Sequence, residues 1–345
     1  MSREWGMTNE SECRYRSKIW HYLGYITVEP LMIFYMMAFM ITNVVEQSFF
    51  VYKACTVNHG YNKTVTVSTF HLWNNIAGHG VPIVLALFMG AWSDKRGRKL
   101  PLLMGLIGKL YYSTMVVVNT TQSDWPLEYV VYTATLPMAF TGADVAIFAA
   151  AYTYLVDVSS KKNRTMRVTI LEVCYLATMP TGIALGSYLF NKVVDKSYTI
   201  MFIINASLLV LAVLYTFLRL KWRSNPNQKP LSEANNVFLD FFDYNHVVDT
   251  TVTIVKKRPR GRRSYLIMLI VMMALYTFQR DERDMMYLYC QLVFNWTLGQ
   301  FSTFRTFQSA LQDVALLFAI PLMSGGVRVE GHDYHHDWGG CSYYR

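Results

Sequence analysis

The sequence has few cysteines and few charged residues for its size, and each shortage excludes a class of protein. Five cysteines in 345 residues are too sparse for a scaffold built on disulfides. Charged residues make up 16% of the chain, below the roughly 25% of typical soluble domains. Hydrophobic residues reach 53%, which excludes a disordered chain because disorder requires low hydrophobicity. What the chain has instead is a series of long apolar stretches.

Eight of these stretches approach the length of about 20 residues that a helix needs to cross the hydrocarbon core of a bilayer, although the seventh is short by itself. They are apolar all round, whereas helices of a soluble core carry a polar stripe that faces water. The predicted fold class is therefore all-α, a polytopic membrane protein. The predicted spans are Ile26–Phe50, Phe70–Trp92, Leu100–Val118, Leu127–Val156, Val168–Phe190, Thr199–Phe217, Tyr265–Phe278 and Phe301–Met323.

The lysines and arginines are concentrated in every second connector. Four lie in residues 1–25, four after the second span, four after the fourth and ten in residues 218–264, against six in the alternate connectors. This asymmetry predicts a cytoplasmic N-terminus, and residues 1–25 lack the apolar core of a cleavable signal peptide. The run KKRPRGRR at 256–263 can also bind anionic lipid or nucleic acid, but we interpret it as a solvated topology signal. The expected partner is the lipid bilayer and not nucleic acid.

The connectors predicted to lie outside carry sequons and cysteines. N-glycosylation sequons begin at Asn62 and at Asn295. Cys55 and Cys290 lie in an oxidising setting, where a disulfide can persist. The sequence leaves two alternatives open: a bridge from Cys55 to Cys290, or two free thiols.

The loop between the second and third spans has the pattern G-x-x-x-D-x-x-G-R-K. We expect Gly90 to permit a close crossing of two helices and Gly97 to permit a tight turn. Asp94 is expected to pair with Arg98, while Lys99 stays at the membrane interface. This pattern resembles the cytoplasmic signature of the major facilitator transporters.

Further stretches are TVEP at 27–30, WSD at 92–94, DVSSKKNRTMR at 157–167 with ILE at 170–172, YTFQRDER at 276–283 and FRTFQSAL at 304–311. They resemble solute carrier family 46, which includes the proton-coupled folate transporter and the thymic stromal cotransporter, and the last two are similar to arthropod members. The resemblance covers about residues 20–323. It implies the major facilitator fold and a transporter that couples protons to an organic anion by alternating access. Folate-like, muropeptide and cyclic-dinucleotide substrates are the classes it implies.

No enzyme is expected, because the spans contain no acyltransferase box, zinc-protease motif or pair of catalytic carboxylates. No metal site is expected either. The resemblance implies no cofactor, with protons as the coupling ion, and leaves the oligomeric state open.

Glu172 lies about one and a half turns into the fifth span, at ~1.5 Å per residue. A desolvated carboxylate favours its neutral form, so it can take up a proton. The resemblance gives the matching glutamate the proton-coupling role. The alternative is that Glu172 is a charge partner for Arg98 or Arg167.

Arg305, Asp144 and Asp313 are the candidates for a substrate cavity. Arg305 either receives the carboxylate or phosphate of a substrate or reaches out to the interface. Asp144 lies one position away from a functional aspartate of the folate transporter, or is a packing group; Lys109 either pairs with it or reaches the interface. Asp313 can pair with Arg305, two turns away.

The next cytoplasmic loop adds two residues to the motif. By analogy with the family, Asp157 and Arg164 are expected to form a charge cluster with Asp94 and Arg98. This cluster would hold the inward gate closed.

Members of the superfamily have twelve spans in two halves of six helices, whereas eight are recognisable here. Gly325–Arg345 is polar and without periodicity, and Gln279 stands where the folate transporter has a histidine linked to proton coupling. The chain is expected to be a transporter or, alternatively, a truncated, inactive isoform that acts as a membrane interaction partner. The expected location is the plasma or endolysosomal membrane. The expected divisions are a cytoplasmic N-terminus at 1–25, a half of six transmembrane helices at 26–220 and a cytoplasmic basic loop at 221–264. The start of the second transmembrane half follows at 265–323, and an atypical tail at 324–345.

Overall fold

A computed structural model describes residues 26–57, 63–160, 163–225, 228–229, 233, 236–256, 262–280 and 283–326. Every regular element in these ranges is helical, which confirms the predicted all-α class. Residues 1–25, the sequon at Asn62 and the tail from residue 327 lie outside them. The helices are α1 Glu29–Val57, α2 Lys63–Arg96, α3 Lys99–Thr121, α4 Val131–Val158, α5 Arg164–Val193, α6 Tyr198–Arg219, α7 Val237–Phe241, α8 Tyr244–Val255, α9 Arg262–Arg280, α10 Arg283–Val293 and α11 Leu298–Gly326.

Six of the described helices, α1 to α6, are long and apolar enough to cross a membrane. They correspond to the first six predicted spans. The predicted seventh span lies on α9, where only the shorter stretch Arg263–Leu275 is apolar, and the eighth lies on α11. Large apolar side chains on the outside of the bundle, such as Ile83 and Phe217, are exposed, as expected where lipid replaces water.

Helix α1 is the centre of the bundle. It packs against α5 and α6, while α3 packs against α4 and α6. The side chains of Tyr35 and Phe49 on α1 are almost completely buried. In lipid, dispersion contacts and internal hydrogen bonds hold helices together, because the surrounding lipid is as apolar as the helix surfaces.

The contact between α1 and α5 depends on two glycines of α5. A Cβ atom at Gly186 would lie 2.2 Å from the carbonyl oxygen of Ile41, and one at Gly182 would lie 2.5 Å from the Cβ of Met40. Such close backbone approach is typical of glycine at membrane helix crossings. The crossing brings α5 against the central helix.

Helix α6 is tied to α1 by hydrogen bonds in the interior. The side-chain amide of Asn205 donates to the carbonyl of Ala38 at 2.9 Å and to the hydroxyl of Thr42 at 2.6 Å. Because lipid offers no competing water, such bonds fix the rotation of one helix against the other.

Two buried lysines cap helix C-termini at opposite ends of the bundle. The ammonium of Lys99 donates to the carbonyls of Phe217 and Leu220 at the end of α6, both at 2.7 Å. The ammonium of Lys53 donates to the carbonyls of Asn119 and Gln122 at the end of α3. A cation there satisfies unpaired carbonyls and the negative end of the helix dipole. The expectation that Lys99 stays at the interface is therefore wrong: its side chain is buried and serves α6.

We predict that Gly186→Ala destabilises the bundle by about 1–3 kcal/mol, the usual cost of overpacking, because the new methyl group collides with backbone. Thermal unfolding of the purified chain in detergent measures the effect. Gly80→Ala in α2 is the matched control, since a Cβ there meets no atom within 4 Å, and we expect it to leave the unfolding temperature unchanged or raise it. Equal losses in both variants would contradict the packing argument.

Candidate functional site

The motif loop between α2 and α3 confirms one glycine role and contradicts the other. Gly97 has a φ of +117°, and a Cβ there would lie 2.4 Å from the carbonyl oxygen of Trp222. At Gly90, by contrast, no atom of the described chain lies within 4 Å of the Cβ position. The expected close crossing at Gly90 is wrong within the described residues, because this side of α2 opens onto a shallow groove beside α4.

Arg98 is the centre of the charge cluster at this end of the bundle, which we call the motif end. It pairs with Asp94 one turn earlier and with Asp157 at 3.4 Å, so these parts of the predicted cluster are present. The hydroxyl of Ser224 also donates to Asp157, at 2.9 Å. Arg164 does not join the cluster: its Nε atom is buried without a hydrogen-bond partner, and no ion pair involves it among the described residues. That part of the prediction is wrong, because Arg98 alone satisfies both carboxylates.

A second connection at the motif end was not predicted from the sequence. Helices α7 and α8 pack on the end of α2 through Asp240. The carboxylate of Asp240 accepts hydrogen bonds from two guanidinium nitrogens of Arg96, Nε and Nη2, each at 2.8 Å. Asp240 also accepts the indole N–H of Trp92 at 2.8 Å. The carbonyl of Asp240 lies 2.8 Å from the ring nitrogen Nε2 of His246, which joins α7 to α8. We call this arrangement the Asp240 clamp.

The hydrogen bond from Arg96 is the main reason why the pKa of Asp240 lies below its ordinary value, with the indole of Trp92 adding to the effect. A carboxyl whose pKa is lowered by its partners stabilises the arrangement above its free value of about 3.9. That contribution disappears as the pH falls through the lowered pKa. The clamp is therefore intact at neutral and mildly acidic pH.

Asp144 and Lys109 form the ion pair that was one of the two predicted alternatives for Lys109. Their side chains meet at 2.9 Å inside the bundle, and the hydroxyl of Tyr35 also donates to Asp144. Helix α4 is interrupted just before Asp144, with left-handed φ angles of 85° at Gly142 and 44° at Ala143. The interruption starts a new helical segment whose first turn carries the carboxylate.

Glu172 accepts a hydrogen bond from the hydroxyl of Tyr152 on α4 at 2.6 Å. The alternative role, a partner for Arg98 or Arg167, is not what the structure has. Arg98 is held by Asp94 and Asp157, as described, and Arg167 is bonded to Glu29 at 3.2 Å and to the hydroxyl of Thr27 at 2.7 Å. Glu172 is thus half-buried beside a tyrosine, with no ion pair to any described residue.

Aromatic rings connect the two carboxylates of α4 and α5. The ring of Phe148 lies 6.0 Å from that of Tyr35 and 5.8 Å from that of Tyr175, centroid to centroid, both edge to face. Tyr35 holds Asp144, and Tyr175 is one turn from Glu172 along α5. The candidate site is therefore a polar and aromatic strip between α1, α3, α4 and α5.

On α11 the predicted pair of Arg305 and Asp313 is absent, so that prediction is wrong. Arg305 donates to Gln308 at 2.9 Å, one turn along the same helix. Both carboxylate oxygens of Asp313 are buried and have no hydrogen-bond partner. Two turns of helix separate the residues, and Arg305 is satisfied nearer its own position.

The opposite end of the bundle contains a cavity of about 750 Å³ between α1, α5, α6 and α11. Its lining combines aromatic rings with polar groups and one cation, Lys196. The rings of Tyr52 and Tyr198 lie 5.4 Å apart at its wall. The volume falls within the range of small-molecule sites.

The cysteines and the second sequon lie near this end. Cys55 is exposed and Cys290 is buried, and both are free thiols. Of the two alternatives, the bridge is therefore not formed, because the two side chains lie in different environments. Asn295 is exposed in the turn before α11, and its glycosylation stays a prediction.

The comparisons with known proteins agree with this architecture. A family model described as Major Facilitator Superfamily matches residues 23–329, so the chain belongs to that superfamily of membrane transporters. A relative named as a probable peptidoglycan muropeptide transporter SLC46, from Drosophila melanogaster, is 24% identical and aligns with 88% of this chain and 62% of its own length.

Two further relatives point to the same group. A proton-coupled folate transporter from Bos taurus is 29% identical over 36% of this chain and 27% of its own length. A lysosomal proton-coupled steroid conjugate and bile acid symporter, SLC46A3 from Rattus norvegicus, is 27% identical over 61% of this chain and 44% of its own length. These relatives support membership of the SLC46 family. They are named as transporters and not as enzymes. The chain spans less than two thirds of the length of the curated relatives it matches.

We predict that Asp240→Asn loosens α7 and α8 from α2. The change removes the charge from the hydrogen bonds to Arg96, and such bonds contribute about 1.5–3 kcal/mol. Amide hydrogen exchange in residues 244–255 should accelerate by about tenfold or more.

Asp249→Asn is the matched control for the clamp, because the pair of Asp249 with Lys95 is exposed and contributes about 0–1 kcal/mol. If exchange accelerates equally in both variants, Asp240 is not the residue that holds these helices.

We also predict that Lys109→Gln destabilises the chain by up to about 3 kcal/mol, because Asp144 is left as a charge without a cation. The double variant Lys109→Gln with Asp144→Asn should recover part of this loss, since no unpaired charge remains. Thermal unfolding of the three proteins in detergent gives the comparison. A double variant less stable than Lys109→Gln alone would contradict the role of the ion pair.

Proposed function

We propose that the chain is a proton-coupled transporter of an organic anion that works by alternating access. The observation that carries the proposal is the environment of Glu172 in α5: a half-buried carboxylate whose partner is the hydroxyl of Tyr152 at 2.6 Å. Glu172 can bind a proton without breaking an ion pair, because its partner is a hydroxyl and not a cation.

The neighbouring charges support this proposal, because they are already neutralised. Asp144 is held by Lys109, Glu29 by Arg167, and Asp94 and Asp157 by Arg98. Protonation of Glu172 therefore changes the net charge of the strip, and no nearby ion pair compensates for it. This is the property that a coupling group needs.

Two observations support an anionic substrate. The cavity of about 750 Å³ has Lys196 as its charged lining residue, beside the rings of Tyr52 and Tyr198. Arg305 lies two turns along α11 from the cavity-lining residue Leu298. A cation with aromatic faces suits an organic anion that has a planar or apolar body. The relatives named for folate, for muropeptides and for steroid conjugates and bile acids suggest the probes with which to begin.

The orientation we propose places the motif end in the cytoplasm. The basic residues around Lys95 and Arg98 support it, because such residues stay on the cytoplasmic side. The plasma membrane and the endolysosomal membrane are both compatible with this orientation. The cavity would then open to the outside or to the lumen.

A second candidate is a membrane interaction partner without transport activity of its own. The observation that favours it is the open groove at Gly90, where the described chain leaves the motif uncovered. A chain that reaches the membrane, but takes up none of the probes at either pH, would favour this second candidate.

We predict that Glu172→Gln abolishes the stimulation of uptake by acid, because the amide cannot take up a proton. Uptake of radiolabelled folate and of a labelled muropeptide, measured in cells at acidic and at neutral pH, tests this. Glu128→Gln, at an exposed position, is the matched control and should keep the pH dependence.

The outcome that would remove Glu172 from this role is an unchanged pH dependence in Glu172→Gln at equal surface expression.

A further inference from the structure

Asp313 on α11 differs from every carboxylate on the helices α1 to α6. Both side-chain oxygens of Asp313 on α11 are buried and accept no hydrogen bond. Each carboxylate on α1 to α6, by contrast, has at least one hydrogen-bond donor or cation beside it. These are Glu29 with Arg167, Glu46 with Tyr112, Asp94 and Asp157 with Arg98, Asp144 with Lys109 and Glu172 with Tyr152.

Asp313 lies on the same face of α11 as two buried serines, and we infer that this face is the one that packs on α5. Ser302 and Ser309 are only 2% and 9% exposed, and the spacing of Ser302, Ser309 and Asp313 by seven and four residues puts all three on one face of the helix. Helix α5 is the main packing partner of α11. We call this contact the α5–α11 seam. In the superfamily fold, α5 belongs to the first half of the protein and α11 to the second.

The titratable groups of the packed elements do not supply a partner. On α5, Glu172 is bonded to Tyr152 and Arg167 to Glu29, and on α11 itself Arg305 donates to Gln308. The remaining titratable groups on α5 and on the neighbouring α1 are Arg164, Cys174, Tyr175, Tyr188, Lys192, Tyr35, Glu46, Tyr52, Lys53 and Cys55.

An ionised carboxylate buried without donors has a free energy several kcal/mol above its hydrated form, so it takes up a proton instead. We propose that Asp313 is a proton-carrying carboxyl whose protonation closes the α5–α11 seam. As the seam closes, the carboxylate accepts a proton from hydronium and releases water; as the seam opens, the carboxyl returns the proton to water. This deepens the proposed proton coupling and rests on it.

The sign of the pH dependence follows from this exchange. The closed seam holds one proton more than the open seam, so acid favours closing. Where the open form is ionised, above about pH 3.9, and the closed form is not, the ratio of closed to open seams falls about tenfold per pH unit.

Thiol labelling at Ser309 tests the proposal in the full chain. Ser309→Cys places a thiol one turn from Asp313 in the seam, and a small neutral maleimide reaches it only when the seam is open. Peptide mass spectrometry reads its labelling relative to the exposed native Cys55 in the same sample, which cancels the pH dependence of thiol chemistry. The ratio should rise up to about tenfold per pH unit.

In the background Asp313→Asn, which is permanently neutral, the ratio should stay low at every pH. Asp124→Asn, the same chemical change at an exposed position, should keep the rise. A ratio that is flat in the parent, or that rises equally in Asp313→Asn, overturns the proposal.

Infrared spectroscopy covers the case in which Asp313→Asn does not fold. The parent chain should show the carbonyl stretch of a protonated carboxyl at neutral pH, and Asp313→Glu should shift that band. Absence of the band overturns the proposal. Failure of the proposed function is a separate result: the parent chain would show no acid-stimulated uptake, whatever the labelling at position 309 shows.

Discussion

The constraint on which this structure depends is that a charged group among membrane helices must find its partner inside the protein. Lys53 and Lys99 find it in helix carbonyls, Lys109 in Asp144 and Arg167 in Glu29. Each of these contacts joins two different helices, so the same bonds that neutralise charge also hold the bundle together. Glu172 and Asp313 differ from these pairs, because Glu172 is bonded to a tyrosine hydroxyl and the oxygens of Asp313 accept no hydrogen bond. A membrane protein retains such carboxylates at a cost in stability, and this is why they are the candidates for function.

The two ends of the bundle are built differently. At the motif end, Arg98 and the Asp240 clamp fasten the loop between α2 and α3 to the segment after α6 and to the helix pair α7–α8. The opposite end has a cavity with one lysine, two tyrosines and hydroxyl groups. Ion pairs join the elements at the motif end, whereas the described lining of the cavity has no comparable cluster of charges. A bundle fastened at one end and hollow at the other suits a protein that opens its ends in turn.

Much of this was predictable from the sequence, because lipid imposes simple rules. The apolar stretches predict the helices α1 to α6, and the glycine and charge pattern predicts the turn at Gly97 and the pair of Asp94 with Arg98. Long-range partners were not predictable: nothing near Asp240 indicates that it reaches Trp92 and Arg96, and nothing near Lys99 indicates a helix end more than a hundred residues later. The prediction for Asp313 was wrong for a related reason. Spacing along one helix suggested Arg305 as its partner, but spacing does not say which face α11 turns towards α5.

The two capping lysines have a consequence for chemical footprinting. An amine whose hydrogen atoms are committed to buried carbonyls is inaccessible to acylating reagents while the fold is intact. The side chains of Lys53 and Lys99 are 3% and 2% exposed, and they lie at opposite ends of the bundle. Acylation of Lys53 would report that the end of α3 has separated from α1, and acylation of Lys99 that the end of α6 has separated from α3. The two native lysines therefore show, in any detergent or lipid, whether the fold is intact at each end.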